Sequence, residues 1–355
     1  MRVLNMDLKE KIDKVKNIIK DKRIVIAFSG GADSTLMAYI AKDVAKEVIT
    51  VSFDNGLMPS NFSNNLKSIA KSIGINNILI EKKMLKNDNF NQNSQKRCFI
   101  CRSIIYAKIK EIATENNIST IVDGTNVDDL FENRPGIMVN YEIGVISPFV
   151  MVGLGKDEVL KYLKEKNMNY LKATTCLSTR IETGEKITKR RINMIRYGED
   201  FLKSILNTDA LRVRYLANEM ALIELVDINP LLNKNKLQTI NNEFKAVKFK
   251  NVALNIEPQI KEKKELIYKP CKDEANKLMF ENDLPYQIDI KKTCKELEKI
   301  GEVKCSPEMS VAMLDSNGKN LTLFGKGKMV IRKIEDKKDV EKFLIKILPL
   351  IRPEI

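Results

Sequence analysis

A short strand–turn–helix segment near the start of the chain places the strongest constraint on the fold. Residues 23–28 (RIVIAF) form an apolar run typical of a buried strand, and residues 36–45 repeat apolar side chains at helical spacing. Residues 29–34 (SGGADS) join them, and two adjacent glycines let a bulky ligand approach the backbone. A helix that begins at such a turn offers unpaired N–H groups to an anion, so the segment predicts a phosphate site. No lysine follows the glycines, which excludes the G-x-x-x-x-G-K-[ST] loop.

Strands and helices alternate along the first half of the chain. The strand-like runs are 23–28, 47–53, 76–81, 119–123 and 143–147, and helix-like runs such as 62–73 and 103–116 lie between them. This alternation predicts an α/β fold with a doubly wound parallel sheet, in which ligands bind at the carboxyl ends of the strands. The turn 29–34 follows the first strand and is therefore expected at that edge.

The pattern changes after residue 188, which predicts further domains in this chain of 355 residues. A nucleotide-binding domain is expected over 1–188. A small α+β domain is expected over 189–260, because 210–216 and 220–226 alternate like a hairpin. Lysine-rich residues 261–274 are predicted to be a linker, and residues 275–355 to form an additional C-terminal α+β domain of unassigned role.

The amino-acid composition excludes several classes of catalytic and metal site. Histidine is absent, which excludes Ser-His-Asp triads, histidine–zinc sites and histidine acid–base catalysis. Lysine and arginine number 61 against 47 acidic residues, and this surplus favours an anionic partner such as a nucleotide or RNA, although most such charges are solvated. The sequence shows no recognisable signal peptide and no run of about eighteen apolar residues. We therefore expect a cytoplasmic protein that does not bind membranes.

A second loop is predicted to complete the nucleotide site. Residues 123–129 (DGTNVDD) follow the fourth predicted strand, and three of them offer donors at the same sheet edge: Gly124, Thr125 and Asn126. Asp128 or Asp129 offers carboxylate oxygens to Mg²⁺. Ser52 and Phe53, at the end of the second strand, are expected near the adenine.

Three cysteines fall within the first predicted domain. Cys98 and Cys101 form a C-x-x-C motif among the basic residues Lys96, Arg97 and Arg102, and Cys176 lies in TTCLSTR. A lone C-x-x-C permits redox, zinc or iron–sulfur chemistry, and an isolated cysteine such as Cys176 is ordinarily a small buried apolar residue. The other three cysteines have spacings that match no zinc pattern well, and we expect unliganded thiols: Cys271, Cys294 and Cys305.

The motifs taken together resemble a known family. The turn SGGADS resembles the PP-loop of the ATP pyrophosphatases, in which ATP is cleaved to pyrophosphate as a substrate oxygen attacks the α-phosphate. The ordered set of SGGADS, KRCFICR, DGTNVDDLFENRPGI, SPF with GLGKDEV, TTCLSTRIETGEKIT and LRVRY with ALIELV resembles the LarE family of sulfur transferases over roughly residues 10–260. The resemblance implies ATP-dependent adenylation of a pyridinium mononucleotide carboxylate and its conversion to a thiocarboxylate, as in nickel-pincer nucleotide biosynthesis.

The resemblance implies roles for individual residues. Nucleotide binding is implied at the strand ends, the two loops and one arginine: Ala27, Ser29, Gly31, Asp33, Ser34, Ser52, Phe53, Gly124, Thr125, Asn126 and Arg180. Catalytic roles are implied for three residues: Asp33, Cys176 and Glu199. Arg212 and Arg214 share one face of a predicted strand and match positions that bind the substrate phosphate, although without the resemblance they would be charged outer residues. Asn255 stands where the family tends to have aspartate, which leaves an acidic role there open.

Two sulfur sources are known in the LarE family. In one type, a cysteine at the position of Cys176 gives up its own sulfur; in the other, three cysteines hold a 4Fe–4S cluster whose fourth iron carries an extra sulfide. Cys98, Cys101 and Cys176 match the three-cysteine type. The implied cofactors are ATP, Mg²⁺ and a 4Fe–4S cluster.

The implied partners are a small nucleotide acceptor and a sulfide donor, and the chain is expected to form a homo-oligomer. Two alternatives remain at this point. A tRNA 2-thiolation enzyme also combines a PP-loop, three cluster cysteines and a basic surface. A non-catalytic nucleotide-binding or RNA-binding protein would use the same fold without releasing pyrophosphate.

Overall fold

A parallel sheet flanked by helices forms the first part of the molecule. The computed structural model describes residues 7–132, 136–172, 175–208, 210–257, 267–270 and 277–354. The elements of the first part are α1 (Leu8–Ile19), β1 (Arg23–Ala27), α2 (Ala32–Val44), β2 (Glu47–Asp54), α3 (Phe62–Ile73), β3 (Asn77–Glu81), α4 (Asp88–Asn91), α5 (Arg97–Glu115), β4 (Thr120–Val122), α6 (Ile137–Ile143), α7 (Pro148–Val152) and α8 (Lys156–Glu165). The strands are parallel in the order β3-β2-β1-β4, which confirms the predicted α/β fold.

The sheet is covered on both faces, which explains its apolar strands. Along β1, Ile24 and Ile26 pack in the cluster that contains α1, α2 and α3, whereas Val25 packs with α5. This alternation follows the period of two residues in a strand, and burial on both faces is typical of parallel sheets.

The predicted fifth strand, 143–147, is reduced to one bridge in the described structure. Ile146 pairs in parallel with Val122, and no strand is assigned over these residues. Gly144 ends α6 in the left-handed region with φ 77°, and Pro148 begins α7. The two helices leave too few residues between them for a regular strand.

A three-stranded sheet forms the second part. Its elements are α9 (Lys189–Leu206), β5 (Leu211–Leu216), β6 (Met220–Leu225), α10 (Lys234–Ala246) and β7 (Asn251–Leu254). β5 and β6 form the expected antiparallel hairpin, and β7 adds in parallel to β6. Thr188 caps α9 by accepting a hydrogen bond from the Arg191 amide at 3.2 Å. Helix α9 therefore begins where the second predicted domain begins.

A six-stranded sheet forms the C-terminal part of the described structure. Its elements are β8 (Ile267–Pro270), β9 (Leu278–Asp283), α11 (Ile290–Leu297), β10 (Glu302–Ser306), β11 (Val311–Ser316), β12 (Lys319–Phe324), β13 (Lys328–Ile334) and α12 (Lys337–Ile347), with strand order β10-β11-β12-β13-β9-β8. Strand β8 lies within the predicted linker 261–274 and pairs with β9, whereas the other residues of that linker lie outside the described residues.

The expectation of unliganded thiols in this part is wrong for two of the cysteines. Cys294 of α11 and Cys305 of β10 form a disulfide, with their Cα atoms 6.0 Å apart. The turn between α11 and β10 brings the helix back over the edge strand, a tertiary arrangement that cysteine spacing does not reveal. Cys271, the third of this group, lies outside the described residues.

The three parts share their hydrophobic cores. Leu57, Met84 and Phe90 of the first part pack in the cluster formed by α9, β5 and α10. Leu130, Ile137 and Val150 are buried in the cluster of the C-terminal part. Among the helices that the structure describes, none combines the length and apolar character needed to cross a membrane.

Candidate nucleotide and thiol site

The turn 29–34 is held by its own serine hydroxyls. The Oγ atoms of Ser29 and Ser34 lie 3.0 Å apart, and the Ser34 hydroxyl donates to the Gly31 carbonyl at 3.1 Å. Gly30 has a φ of 73°, a region that favours glycine. Gly31 is the N-cap of α2 and no described side chain caps the first turn of this helix. The first-turn amides and the two hydroxyls therefore suit an anion such as phosphate.

The loop 123–129 packs directly against this turn, as the sequence predicts. A Cβ atom on Gly124 would lie 2.7 Å from the carbonyl carbon of Asp33 and 2.7 Å from the Ser34 nitrogen. Asn126 donates from Nδ2 to Asp33 Oδ1 at 2.8 Å. Only glycine allows so close an approach, so this contact fixes the spacing of the two walls of the site.

Asp123, to which the motifs assigned no separate role, organises the second loop. It is buried and accepts hydrogen bonds from several side chains and from the Thr125 amide: Arg102, Tyr106, Thr125, Asn140 and Ser147. Arg102, which was predicted among the thiols, lies one turn after Cys98 on α5, and its guanidinium donates to Asp123 at 3.0 Å and to Asn140 of α6 at 2.8 Å. Asp123 follows β4 directly, and this position at the end of a strand is the feature of the sequence from which its role could have been predicted.

Both predicted magnesium ligands make hydrogen bonds to backbone amides. Asp128 is exposed and accepts from the Lys156 amide at 2.6 Å, at the start of α8. Asp129 is buried, and it accepts from the Asn126 amide at 3.1 Å. Asp129 is therefore linked to the phosphate turn through Asn126, whereas Asp128 is directed to α8.

The residues predicted near the adenine end their strands at the expected edge. Ser52 and Phe53 lie among the last residues of β2, and Ala27, for which the resemblance implies nucleotide binding, ends β1. The buried Ser52 hydroxyl lies within hydrogen-bonding distance of the Phe28 carbonyl, at 2.7 Å, and of Asn77 Oδ1, at 2.8 Å. Ser52 therefore joins β1, β2 and β3, while the half-buried Phe53 packs in the cluster with α5.

Three free thiols come together beside the edge of the parallel sheet at which its strands end. Cys98 and Cys101 lie in the first turns of α5, and Cys176 precedes the short 3₁₀ turn Leu177–Arg180. Burial, together with the neighbouring Cys176 and Cys98 thiols, raises the pKa of Cys101 to about 12, while an Asn55 hydrogen bond and the Arg97 charge oppose the rise. Cys101 and Cys176 pack at the margin of the same apolar cluster. No group of three or more cysteine or acidic side chains in the described ranges is arranged to hold a metal ion.

Three neighbouring arginines lie between the thiols and the three-stranded sheet. We call this group the arginine wall: Arg180, Arg212 and Arg214. Arg180 is 4% exposed and donates to Glu199 at 3.0 Å, and Arg214 donates to Glu224 at 2.7 Å. Arg212 is half-buried, and burial, then Arg180, then Arg214 lower its pKa. An anion bound among these guanidiniums would relieve their mutual repulsion.

Hydrogen bonds fix the side chains of Glu199 and Asn255. Glu199 is buried, and besides its bond to Arg180 it accepts from the Val213 amide at 3.3 Å. Its carboxylate thus anchors Arg180 to β5. Asn255 follows β7, where its side chain accepts from the Glu257 amide at 3.1 Å.

Comparison with known proteins agrees with this geometry. A sequence profile described as a PP-loop domain matches residues 4–139. An uncharacterised protein of Methanocaldococcus jannaschii is 32% identical over 253 residues, which cover 70% of this chain and 96% of that protein. An uncharacterised protein of Synechocystis is 30% identical over 257 residues, 70% of this chain and 95% of that protein.

Other relatives have descriptive names. Pyridinium-3,5-bisthiocarboxylic acid mononucleotide synthase of Lactiplantibacillus plantarum is 28% identical over 245 residues, 67% of this chain and 87% of that protein. The glutamine-hydrolysing GMP synthase of Aliarcobacter butzleri is 28% identical over 129 residues, 35% of this chain and 25% of that protein. The similarity to the second relative covers less of both chains.

Proposed function

We propose that this chain, which belongs to the family of PP-loop proteins that includes the uncharacterised M. jannaschii protein, is an ATP-dependent sulfur transferase acting on a pyridinium mononucleotide. The observation that carries the proposal is that free thiols lie beside the edge of the sheet that holds the PP-loop. The L. plantarum relative, whose name specifies a bisthiocarboxylic acid mononucleotide, supports the choice of acceptor.

The reaction has two steps. First, a carboxylate oxygen of the acceptor attacks the α-phosphorus of ATP, the bond to the β-phosphate oxygen breaks, and pyrophosphate leaves. The hydroxyls of Ser29 and Ser34 and the first-turn amides of α2 would hold the leaving phosphates, while Asp33, oriented by Asn126, would organise Mg²⁺. Second, a sulfur nucleophile attacks the acyl carbon, AMP leaves with its oxygen, and a thiocarboxylate remains.

The arginine wall would hold the acceptor. Arg212 and Arg214 alternate with buried Leu211 and Val213 along β5, so both guanidiniums share one face. Planar guanidiniums bind phosphate oxygens in a bidentate manner, and Arg180 adds a third positive charge nearby. We assign the phosphate of the acceptor to this wall.

The thiol group fits an iron–sulfur cluster in its donor chemistry. Thiolates are the protein ligands of 4Fe–4S clusters, and Cys98 and Cys176 both lie near enough to Cys101 to contribute to the rise in its pKa. The buried Nε of Arg97 has no partner among the described residues, which suits an anionic guest beside Cys101. These three cysteines would hold the cluster, which when bound supplies a replaceable sulfide as the nucleophile.

The test is a product analysis. The protein, loaded anaerobically with iron and sulfide, is incubated with ATP, Mg²⁺, pyridinium-3,5-dicarboxylate mononucleotide and unmodified tRNA. AMP, pyrophosphate and an acceptor with one oxygen exchanged for sulfur are expected. ADP with phosphate would contradict adenylation, and thiolated tRNA formed in place of a thiolated mononucleotide would contradict the acceptor.

Asp33→Ala provides the matched test of the PP-loop. It removes the charge that organises Mg²⁺ and the phosphates, so turnover should fall about a hundredfold or more. Asp43→Ala changes an exposed aspartate on the same helix and should leave turnover unchanged.

A further inference from the structure

A buried guanidinium N–H without an acceptor lies beside the thiols. Arg97 is four residues before Cys101 on α5, so the two side chains occupy the same face of the helix. Arg97 Nε is buried, and no hydrogen-bond partner for it exists among the described residues. A buried donor without an acceptor is unfavourable, so the atom indicates an acceptor that the chain does not supply.

The rest of the Arg97 guanidinium is tethered. Its Nη1 donates to Asn93 Oδ1. Asn93 is fully buried and donates from Nδ2 to the carbonyls of Glu182, at 2.7 Å, and Glu185, at 2.9 Å. Because one edge of the guanidinium is fixed to the 182–185 loop, Nε keeps a defined direction.

Asn55 is a second buried polar side chain near Cys101. It follows β2 directly and is 8% exposed. Its Oδ1 accepts from the Leu57 amide at 2.9 Å, which orients the amide group, and its side chain lies near enough to the Cys101 thiol to oppose the rise in the pKa of that thiol. The Leu57 carbonyl in turn accepts from the Leu177 amide at 2.7 Å, next to Cys176. The loop after β2 thus joins the nucleotide edge to both cysteines.

We propose that Arg97 Nε and Asn55 Nδ2 form a donor pair that holds an anionic sulfur atom at Cys101, and that both are positioning residues for sulfur transfer. The inference rests on the proposed sulfur-transferase function. The guest is a small sulfur anion, either sulfide held with iron or the terminal sulfur of a persulfide. Hydrogen bonds to an ionised acceptor are stronger than neutral ones, and Cys101 lies at the margin of an apolar cluster, where a lower local dielectric strengthens such bonds further.

Asn55→Asp is the sharpest test. Aspartate has the same shape and keeps the oxygen that accepts from Leu57, but it replaces the donor at Cys101 with an anionic oxygen. Full-length protein is reconstituted anaerobically with iron and sulfide, exchanged into sulfide-free buffer, and assayed for iron and acid-labile sulfide. Asn64→Asp, which adds the same charge at an exposed position in the first turn of α3, is the control.

Asn55→Asp should retain roughly tenfold less labile sulfide than the wild type, as expected for loss of a hydrogen bond to a charged group. Asn64→Asp should match the wild type. Arg97→Lys, which keeps the charge but lacks the fixed Nε–H, should show a smaller loss. Thermal unfolding verifies that the variants are folded. Sulfide retention equal to the wild type in folded Asn55→Asp and Arg97→Lys overturns the inference and leaves the proposed function standing.

A second experiment tests the donor pair if the protein does not bind the proposed cluster. If even the wild type retains no iron, each protein is treated with inorganic polysulfide, which transfers one sulfane sulfur to a thiolate and leaves a polysulfide shorter by one sulfur. Mass spectrometry then locates the persulfide. More persulfide on Cys101 in the wild type than in Asn55→Asp supports the donor pair, and equal amounts overturn it.

Discussion

Positive charge is concentrated around two carboxylates where β5 meets the 3₁₀ turn after Cys176. Arg180 pairs with Glu199 inside the protein, and Arg214 pairs with Glu224, whose side chain is largely buried. Arg212 adds a third guanidinium, and its pKa is lowered by burial and by Arg180 and Arg214, while the two carboxylates oppose this effect. The group as a whole carries one more positive than negative charge, which suits a phosphate.

Arg212→Lys should weaken binding of the mononucleotide acceptor by roughly tenfold, because a point ammonium cannot reproduce bidentate contact with phosphate. ATP affinity should hardly change. Titration calorimetry with each ligand measures both effects, and Arg190→Lys at an exposed ion pair is the control. An equal loss of affinity for both ligands would point to a folding defect.

The thiols should differ in reactivity in the metal-free protein. Only the thiolate is alkylated, and burial raises the pKa of Cys101 to about 12. The raised pKa favours the neutral thiol, so the iodoacetamide rate at Cys101 should rise about tenfold for each pH unit between about 8 and 11. Exposed Cys98 should react first at about pH 8. A Cys101 rate that levels off below about pH 9, measured by peptide mass spectrometry, would contradict the burial of this thiol.

At the scale of elements, the site is made where loops after three parallel strands meet. The turn after β1, the loop with Asn55 after β2 and the loop with Gly124 after β4 lie at one sheet edge. Apolar periodicity was enough to predict this edge, because buried parallel strands and amphipathic helices are local patterns. The glycine pair and the helix start predicted a phosphate site at the turn 29–34, and the strand ends placed residues 123–129 at the same edge; their direct contact is a finding of the structure.

Other contacts depend on partners far apart in the chain, and the sequence did not reveal them. Asp123 accepts hydrogen bonds from α5 and α6, and the Arg102 guanidinium pairs with this carboxylate. Asp128 accepts from the start of α8, which a count of acidic residues cannot distinguish from magnesium binding. The disulfide between Cys294 and Cys305 likewise depends on how α11 folds back on β10. In each case tertiary packing selects the partner.

Gly124→Ala tests the contact between the two loops. The new Cβ would lie 2.7 Å from backbone atoms of Asp33 and Ser34, so the loop after β4 must move away from the phosphate turn. We expect ATP affinity to fall about tenfold or more, measured by calorimetry, because the misplaced walls lose preorganised contacts. Gly144→Ala is the control: its φ of 77° strains alanine, but no atom lies within 4 Å of the new Cβ. Unchanged ATP affinity in Gly124→Ala would show that this spacing is not part of the nucleotide site.

At the scale of the whole molecule, the C-terminal part packs against the residues that follow the loop 123–129. Leu130 and Ile137, which follow the loop 123–129, are buried in the C-terminal core. The Tyr286 hydroxyl donates to the Leu130 carbonyl at 3.2 Å, and the Arg352 guanidinium lies 4.1 Å from the centre of the Tyr141 ring. Loss of the C-terminal core would therefore expose apolar surface on α6 and on the turn next to Asp129.

Phe280→Ala should loosen α6 as well as the C-terminal sheet. Phe280 is fully buried, and truncation of such a side chain costs about 3–5 kcal/mol of folding free energy. Because Ile137 shares that core, hydrogen exchange followed by mass spectrometry should accelerate in α6 (Ile137–Ile143) together with β13 (Lys328–Ile334). Strand β3 (Asn77–Glu81), which belongs to the other end of the parallel sheet, should keep its wild-type exchange, and Phe324→Ala at a partly exposed position should change neither region. Faster exchange confined to the C-terminal sheet would mean that this part unfolds by itself and that α6 does not depend on the shared core.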